Sequence, residues 1–130
     1  MMDIDNFKAV NDIYGHHEGD EVLRYIADSL RQFFRRDDVV IRIGGDEFVV
    51  FIYPCSSVAA IEQKIQKISE RYLRKIEQEY PLSRSSLSFG GVKYNRTTSF
   101  LELYKRADQV LYKVKHNCKG QFKIVEMKTE

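Results

Sequence analysis

A chain of 130 residues that is 43% hydrophobic is long enough for one compact domain with one core, so we predict a single domain over residues 1–130. The net charge of +2 is close to balanced and gives no indication of a broad nucleic-acid surface or of direct membrane contact, so we expect neither. The two cysteines, Cys55 and Cys118, lack metal-ligand or disulfide spacing, and no apolar run has the length of a membrane span. No signal peptide is recognised either, so we expect a cytoplasmic domain.

The first half of the chain predicts a short strand, a helix and a hairpin. Asp3 and Asp5 follow a short apolar start and end the predicted strand. From Glu18 to about Arg35, helical spacing of apolar residues predicts an amphipathic helix, at Val22, Leu23, Ile26, Ala27, Leu30, Phe33 and Phe34. Two buried strands at 39–43 and 49–52 follow, and the paired glycines of the turn between them permit positive φ.

The second half predicts two helices and two strands. Ser56 and Ser57 start a helix that Pro81 stops, with apolar positions at Ile61, Ile65, Ile68, Tyr72 and Ile76. Residues 87–94 read as a strand with a glycine kink, and residues 122–125 as a closing edge strand. Between them Ser99 caps a helix that we expect to bury Phe100, Leu103, Tyr104, Ala107, Val110, Leu111 and Val114.

The hairpin turn carries two adjacent carboxylates, Asp46 and Glu47, that a turn does not need. Asp3 and Asp5 add two more at the end of the first predicted strand. Hard divalent cations prefer oxygen ligands, and Mg²⁺ commonly binds one or two carboxylates together with substrate phosphates. If the turn stood alone, the better interpretation would be that Asp46 and Glu47 merely face water. The additional carboxylates of Asp3 and Asp5 favour a metal and phosphate site instead.

Several motifs occur together in one order along nearly the whole chain, at residues 3–8, 11–12, 15–16, 19–20, 35 and 38, 44–48, 88–90, 107–108, 111–112 and 115. This set resembles the GGDEF family, the diguanylate cyclases. The resemblance implies an α/β sandwich in which helices flank a mixed sheet with a central antiparallel hairpin, the palm-like, ferredoxin-related fold of nucleotide cyclases. It also implies that the chain lacks the family's N-terminal helix and part of the first strand.

The reaction implied by the family joins two GTP molecules into cyclic di-GMP, with Mg²⁺ as cofactor and Mn²⁺ as an alternative. The resemblance implies that the metal is bound by Asp3, the backbone carbonyl of Ile4, Asp46 and Glu47. Asp46 and Glu47 are also the expected catalytic residues, with Asp46 assisting the metal or taking the 3′-hydroxyl proton. Because adjacent turn residues can both reach a metal site, the division of roles between them stays open.

The resemblance also implies residues that bind GTP. Asn11 and Asp20 match the family's guanine pair, since an amide and a carboxylate can bond guanine and would be unpaired with adenine. Taken alone, both residues are better explained as caps. The backbone of Phe7 and Lys8 would cradle the β- and γ-phosphates, because free N–H groups in a turn form an anion-binding nest.

Two glycines and two lysines complete the expected substrate site. Gly44 and Gly45 allow close backbone approach. Lys115 and Lys119 stand four residues apart near the end of the last helix, where like charges repel unless an anion lies between them. For Lys119, interaction with the helix dipole is the alternative. Residues 118–120 read Cys-Lys-Gly where the family has Gly-Arg-Asn, so the bidentate fork of arginine is lost.

Arg35 and Asp38 have the family's spacing for an inhibitory site that binds the product. Arginine can bond phosphate or the Hoogsteen edge of guanine, and aspartate can accept from its Watson-Crick edge. The alternative is an arginine at a helix end beside an aspartate in a surface turn.

The leading hypothesis is a diguanylate cyclase that acts as a homodimer and is inhibited by its product. The alternative is a catalytically weak or inactive signalling module that binds GTP or cyclic di-GMP. A cyclase that makes a monomeric cyclic nucleotide is disfavoured by the intact turn at 44–48. The family implies a regulatory sensory or receiver domain in the full-length protein, which could be tethered to a membrane.

Overall fold

The structure, a computed structural model, describes residues 1–55, 57–94 and 97–127, which form a five-stranded mixed sheet with four α-helices. In chain order the elements are β1 (Met2–Asp5), α1 (Phe7–Tyr14), α2 (His16–Phe33), β2 (Val39–Arg42), β3 (Glu47–Phe51), α3 (Val58–Glu79), a 3₁₀ turn (Pro81–Ser83), β4 (Ser86–Tyr94), α4 (Phe100–Asn117) and β5 (Phe122–Met127). The predicted fold class, a mixed sheet flanked by helices, is confirmed. Within these ranges no helix combines the length and apolar character needed to cross a membrane.

The strands lie in the order β2-β3-β1-β4-β5, and every neighbouring pair is antiparallel except β4 and β5. The predicted hairpin forms, with Val40 opposite Val50. It lies at one end of the sheet, however, while β1 occupies the centre. Because β2 has a neighbour on one side only, most of its residues are exposed, and the prediction that both hairpin strands are buried is wrong for β2.

Alternation along β1 sends its side chains to opposite faces of the sheet. The two apolar side chains of β1 enter the main core, which they share with residues of α2 and α3. Asp3 and Asp5 point to the other face, which α4 covers. Helix α4 packs closely on Gly90, where an added Cβ would lie 2.3 Å from the backbone nitrogen of Leu111. The carboxylates of β1 therefore share a face with α4.

Serine caps begin the two long helices of the second half, as predicted. The Ser57 hydroxyl accepts a hydrogen bond from the Ala60 N–H (3.2 Å) at the start of α3. The Ser99 hydroxyl accepts from the Glu102 N–H (3.1 Å) at the start of α4. Ser56, the other predicted start signal, lies outside the described residues.

Helix α4 buries less than its apolar pattern predicts. Leu111 and Val114 are buried, but Phe100 is exposed and the remaining predicted core positions are half-buried. The first turns of α4 border an open apolar groove of about 720 Å³, where Phe100 contacts Phe51 of β3 (ring centroids 6.0 Å apart) but stays about half exposed. The C-terminal half of α4 carries Lys115, which reaches the carboxylates of β1.

Candidate active site

Three carboxylates meet where β1, β3 and the hairpin turn come together. Asp3 and Glu47 are direct partners in the β1–β3 ladder, and Asp46 precedes Glu47 in the chain. The Ile4 N–H donates to the Asp46 carbonyl oxygen (3.0 Å), which fixes the turn against β1. One oxygen from each of the three carboxylates lies within 4.8 Å of the others. We call Asp3, Asp46 and Glu47 the acidic cluster.

Burial and mutual repulsion disfavour the charged forms of the carboxyl groups in the acidic cluster. Burial, followed by the charge of Asp3, raises the pKa of Asp46. Burial and then the charges of Asp3 and Asp46 raise the pKa of Glu47. The Oδ1 atom of Asp3 is buried and has no hydrogen-bond partner among the described residues. A buried oxygen without a partner beside two further carboxylates is the donor set that suits a hard divalent cation, so the residues present fit the metal that the sequence implied.

The glycines of the turn do not use the positive φ that glycine permits. Among the described glycines, positive φ occurs at Gly15 and Gly120. The Arg42 guanidinium instead holds the turn by donating to the carbonyl oxygens of Gly44 (3.1 Å) and Gly45 (3.0 Å). A Cβ added at Gly45 would touch nothing within 4 Å, so the turn is open to an approaching ligand.

Residues 7 and 8 begin a helix, so the prediction that they form a turn is wrong. Asn6 precedes α1 in the left-handed conformation (φ 58°), and its side chain does not cap the helix. The first N–H groups of a helix have no intrahelical acceptor, so those of Phe7 and Lys8 can serve an anion. The Lys8 side chain is turned toward Asp12 (3.2 Å) and is highly exposed.

Lys115 extends from α4 to the carboxylates of β1. Its ammonium hydrogen-bonds to Asp3 and lies 3.8 Å from Asp5. Burial lowers the pKa of Lys115, but the hydrogen bond to Asp3 and the charges of Asp3 and Asp5 outweigh this effect and raise it. The side chain is therefore a fixed cation directly beside the acidic cluster.

The sequence predicted Lys119 near the end of the last helix, on one face with Lys115. Helix α4 ends at Asn117, however, so Lys119 lies beyond it. The chain turns at Gly120 (φ 80°), and a hydrogen bond of 3.5 Å joins the Lys119 ammonium to the Asn6 side-chain oxygen. Lys119 thus lies near the N-terminus of α1, and the two lysines approach the site from different directions.

The residues matched to guanine binding are not caps. Asn11 lies in the middle of α1 and Asp20 in the second turn of α2. The Asn11 amide packs on the backbone of Gly19, where an added Cβ would lie 1.8 Å from its oxygen. Glycine at this position therefore lets Asn11 lie against the residue that precedes Asp20.

Arg35 and Asp38 bind each other. Asp38 is buried and accepts from the Arg35 backbone N–H (2.8 Å) and from its guanidinium (3.1 Å). The guanidinium also donates to the Pro54 carbonyl oxygen (2.8 Å), and about half of the Arg35 side chain is exposed. Only Arg35 is open to a ligand, whereas the carboxylate of Asp38 is already engaged.

A cavity of about 380 Å³ adjoins the acidic cluster and includes residues to which the sequence assigned no role. Asp108, Tyr112 and His116 line it from α4, and the rings of Tyr112 and His116 stack at 5.9 Å. Their spacing of four residues, which repeats on one helix face, is the signal that could have grouped them with Lys115. Arg42 was also missed, because nothing in its local sequence shows which carbonyl groups it binds.

Comparisons with known proteins identify the family of this chain. Residues 1–121 match the family model described as diguanylate cyclase, GGDEF domain. The chain is 38% identical over 135 residues to the uncharacterized protein YhcK of Bacillus subtilis, covering 98% of this chain and 36% of that protein. It is 35% identical over 119 residues to the diguanylate cyclase DgcM of Escherichia coli, covering 90% of this chain and 28% of that protein. It thus spans about a third of the length of these relatives.

Solved structures of cyclase domains have the same fold. The active GGEEF domain of a diguanylate cyclase from Vibrio cholerae is similar with a TM-score of 0.78 at 30% identity, over 95% of this chain and 78% of that one. The GGDEF domain of DgcB from Caulobacter crescentus, in complex with c-di-GMP, has a TM-score of 0.73 at 25% identity, over 95% and 74% of the two chains. Because the family model covers nearly the whole chain, the protein belongs to the GGDEF family of diguanylate cyclases.

Proposed function

We propose that this chain is a catalytic domain that condenses two GTP molecules into cyclic di-GMP as a homodimer, using Mg²⁺ or Mn²⁺. The observation that carries the proposal is the acidic cluster with the Lys115 ammonium beside it. Three carboxylates that repel one another, with a fixed cation beside them, suit the binding of a metal and a triphosphate.

The acidic cluster would hold the cation, with the backbone carbonyl of Ile4 as a further oxygen ligand. When bound, the cation would neutralise phosphate charge and act as a Lewis acid. Lys115, Lys119 and the first N–H groups of α1 would hold the β- and γ-phosphates, because Lys115 contacts Asp3 of β1 and Lys119 contacts Asn6, the residue directly before α1.

In the reaction, the 3′-hydroxyl oxygen of one GTP bonds to the α-phosphorus of the other, and the bond to pyrophosphate breaks. The hydroxyl proton must be accepted as the new bond forms. We assign this role to Asp46, as the family resemblance implies, although burial and the neighbouring carboxylates raise the pKa values of Asp46 and Glu47 alike. Glu47 would remain a metal ligand.

Guanine selection would rest on Asn11 and Asp20. The contact of the Asn11 amide with Gly19 supports this assignment, because it brings the amide next to the helix turn that carries Asp20. A base without guanine's donors would leave both side chains unpaired, which costs affinity.

Two chains are needed because each would bind one GTP, whereas the product contains two nucleotides. The two sites must face each other, which favours a twofold symmetric dimer. In this proposal a sensory or receiver domain of the full-length protein regulates activity by bringing two cyclase domains together.

Product inhibition at Arg35 is part of the proposal. Because Asp38 is buried and engaged, it would orient the guanidinium while the exposed half of Arg35 contacts the product. Arg35→Ala is expected to raise the cyclic di-GMP concentration for half-inhibition at least tenfold. The neighbouring Arg36→Ala, also on an exposed residue, is the matched control. Equal inhibition of both variants and the parent would remove Arg35 from an inhibitory site.

The decisive experiment measures cyclic di-GMP formed from GTP and Mg²⁺ across a range of protein concentrations. We expect the rate to rise more steeply than linearly with protein concentration and to vanish in Glu47→Gln. Glu77→Gln makes the same chemical change on the exposed side of α3 and should retain activity. A rate strictly proportional to protein concentration, in a range where the domain is shown to be monomeric by size-exclusion chromatography, would contradict the dimer.

The second candidate is a signalling module that binds GTP or cyclic di-GMP without turnover. The observation that favours it is Lys119, a single ammonium near the N-terminus of α1 where the family has an arginine fork. Tight nucleotide binding without product, at any protein concentration, would select this candidate.

A further inference from the structure

Asp5 is the most completely enclosed carboxylate of the site, although it is not part of the acidic cluster. Its side chain is fully buried, and its Oδ2 atom accepts hydrogen bonds from the Ser86 hydroxyl (2.8 Å), the Ser88 hydroxyl (2.7 Å) and the Gly120 N–H (3.1 Å). Its Oδ1 atom is buried and accepts no hydrogen bond from any described residue. A buried charge of this kind is costly unless a cation balances it.

The balancing cation is Lys115. Its ammonium lies 3.8 Å from Asp5 Oδ1, and within the described ranges no other cation lies within 4.0 Å of Asp5. The same ammonium hydrogen-bonds to Asp3. Asp3 and Asp5 stand two apart on one face of β1, so both attract Lys115 from the same side. If Asp3 gives its charge to a metal, Asp5 still holds the lysine.

Asp5 also holds the chain that carries Lys119. The Gly120 N–H donates both to Asp5 and to the Ser88 hydroxyl (3.0 Å), which itself donates to Asp5. This bond network fixes the turn directly after Lys119. A Cβ at position 120 would approach the Ser86 hydroxyl to 3.2 Å, and φ there is 80°, so glycine suits this turn.

We propose that Asp5 is a positioning residue for the triphosphate: it holds Lys115 through charge and Lys119 through the hydrogen bond to Gly120. This inference rests on the proposed function, because it needs a triphosphate between the two lysines. Asp5 itself touches no substrate in this proposal. The effect of Asp5 on binding is confined to the β- and γ-phosphates, since the residues assigned to guanine binding lie on α1 and α2.

The test compares binding of two ligands to Asp5→Asn and to the parent by calorimetry with Mg²⁺ present. One ligand is a GTP analogue with a methylene group in place of the α,β-bridging oxygen, which cannot lose pyrophosphate. The other is GMP, which lacks the β- and γ-phosphates. In Asp5→Asn the amide oxygen can still accept from the two serines and Gly120, so the substitution removes mainly the charge that attracts Lys115.

We expect Asp5→Asn to bind the GTP analogue about tenfold more weakly than the parent and to bind GMP equally well. A purely electrostatic view makes the opposite prediction, because removing a negative charge near an anion strengthens its binding. Asp28→Asn, which neutralises an exposed carboxylate on α2, is the matched control and should change neither affinity.

Ser88→Ala keeps the charge of Asp5 and removes one donor to it and one acceptor for Gly120. We expect about threefold weaker binding of the GTP analogue with unchanged GMP binding, and this variant tests the inference even if Asp5→Asn does not fold. Equal or tighter binding of the analogue, or an equal loss for both ligands, would overturn the positioning role alone. Failure of the parent to bind the analogue would overturn the proposed function together with it.

Discussion

Substitution of Glu47 by glutamine should have opposite effects on the metal-free and metal-bound domain. Burial and the charges of Asp3 and Asp46 raise the pKa of Glu47. The folded state therefore binds a proton at the Glu47 carboxylate more tightly than the unfolded state does. Protonated Glu47 therefore stabilises the fold at pH values below the pKa of Glu47 in the unfolded chain. This stabilisation is lost as the pH rises through the raised pKa of Glu47 in the folded domain. At pH 7.5 the ionised side chain destabilises the metal-free fold.

The magnitude follows from the spacing of the acidic cluster. Two unit charges 4.8 Å apart, the outer limit of the cluster, repel by about 3.5 kcal/mol at an effective dielectric constant near 20. Solvent and the Lys115 ammonium screen this repulsion, so we expect Glu47→Gln to stabilise the metal-free domain by about 1 kcal/mol, or roughly 4 °C in Tm.

When metal is bound, we expect the parent to be more stable than Glu47→Gln. A cation at a hundred times its Kd stabilises the parent by about 2.7 kcal/mol, which is roughly 10 °C for a domain of this length. Glu47→Gln removes one of three carboxylates and should gain less than about 1 kcal/mol from the same cation concentration. The assay is calorimetric melting at pH 7.5 with Mg²⁺ or Mn²⁺ titrated against a chelator control.

Glu77→Gln is the matched control, because it makes the same change on an exposed residue of α3 and should match the parent in both conditions. A metal-free Glu47→Gln that melts below the parent would refute the repulsion argument. An equal metal-induced rise in Tm for parent and variant would show that Glu47 is not a ligand.

Further predictions concern two glycines and the pH dependence of metal binding. Gly90→Ala should lower stability by about 3 kcal/mol in calorimetric melting, because its Cβ would meet backbone of Leu111, whereas Gly45→Ala should change stability by less than about 0.5 kcal/mol. Gly19→Ala should displace the Asn11 amide and reduce the preference for GTP over ATP about tenfold in a binding titration; an unchanged preference would remove Asn11 from base recognition. Metal affinity should rise with pH through the raised pKa values of the acidic cluster and release protons, and pH-independent binding would contradict this.

Local patterns in the sequence were sufficient for most of the fold. Apolar residues at helical spacing identified α2 and α3, and the serine caps at Ser57 and Ser99 set the starts of α3 and α4. These features depend on neighbours within a few residues along the chain. The short helix α1 was missed, because Asn6 starts it from a left-handed conformation that no local pattern signals.

The sequence by itself determined which chemistry this protein can hold: the carboxylates, the lysines and the order of the family motifs. Tertiary structure alone decided how they meet. It paired Asp3 with Glu47 across two strands, placed the hairpin at the edge of the sheet, and placed Lys115 between two carboxylates more than a hundred positions away. It also enclosed Asp5 and engaged Asp38 internally. The physical reason is that burial and charge pairing depend on contacts between distant segments, which composition and spacing do not encode.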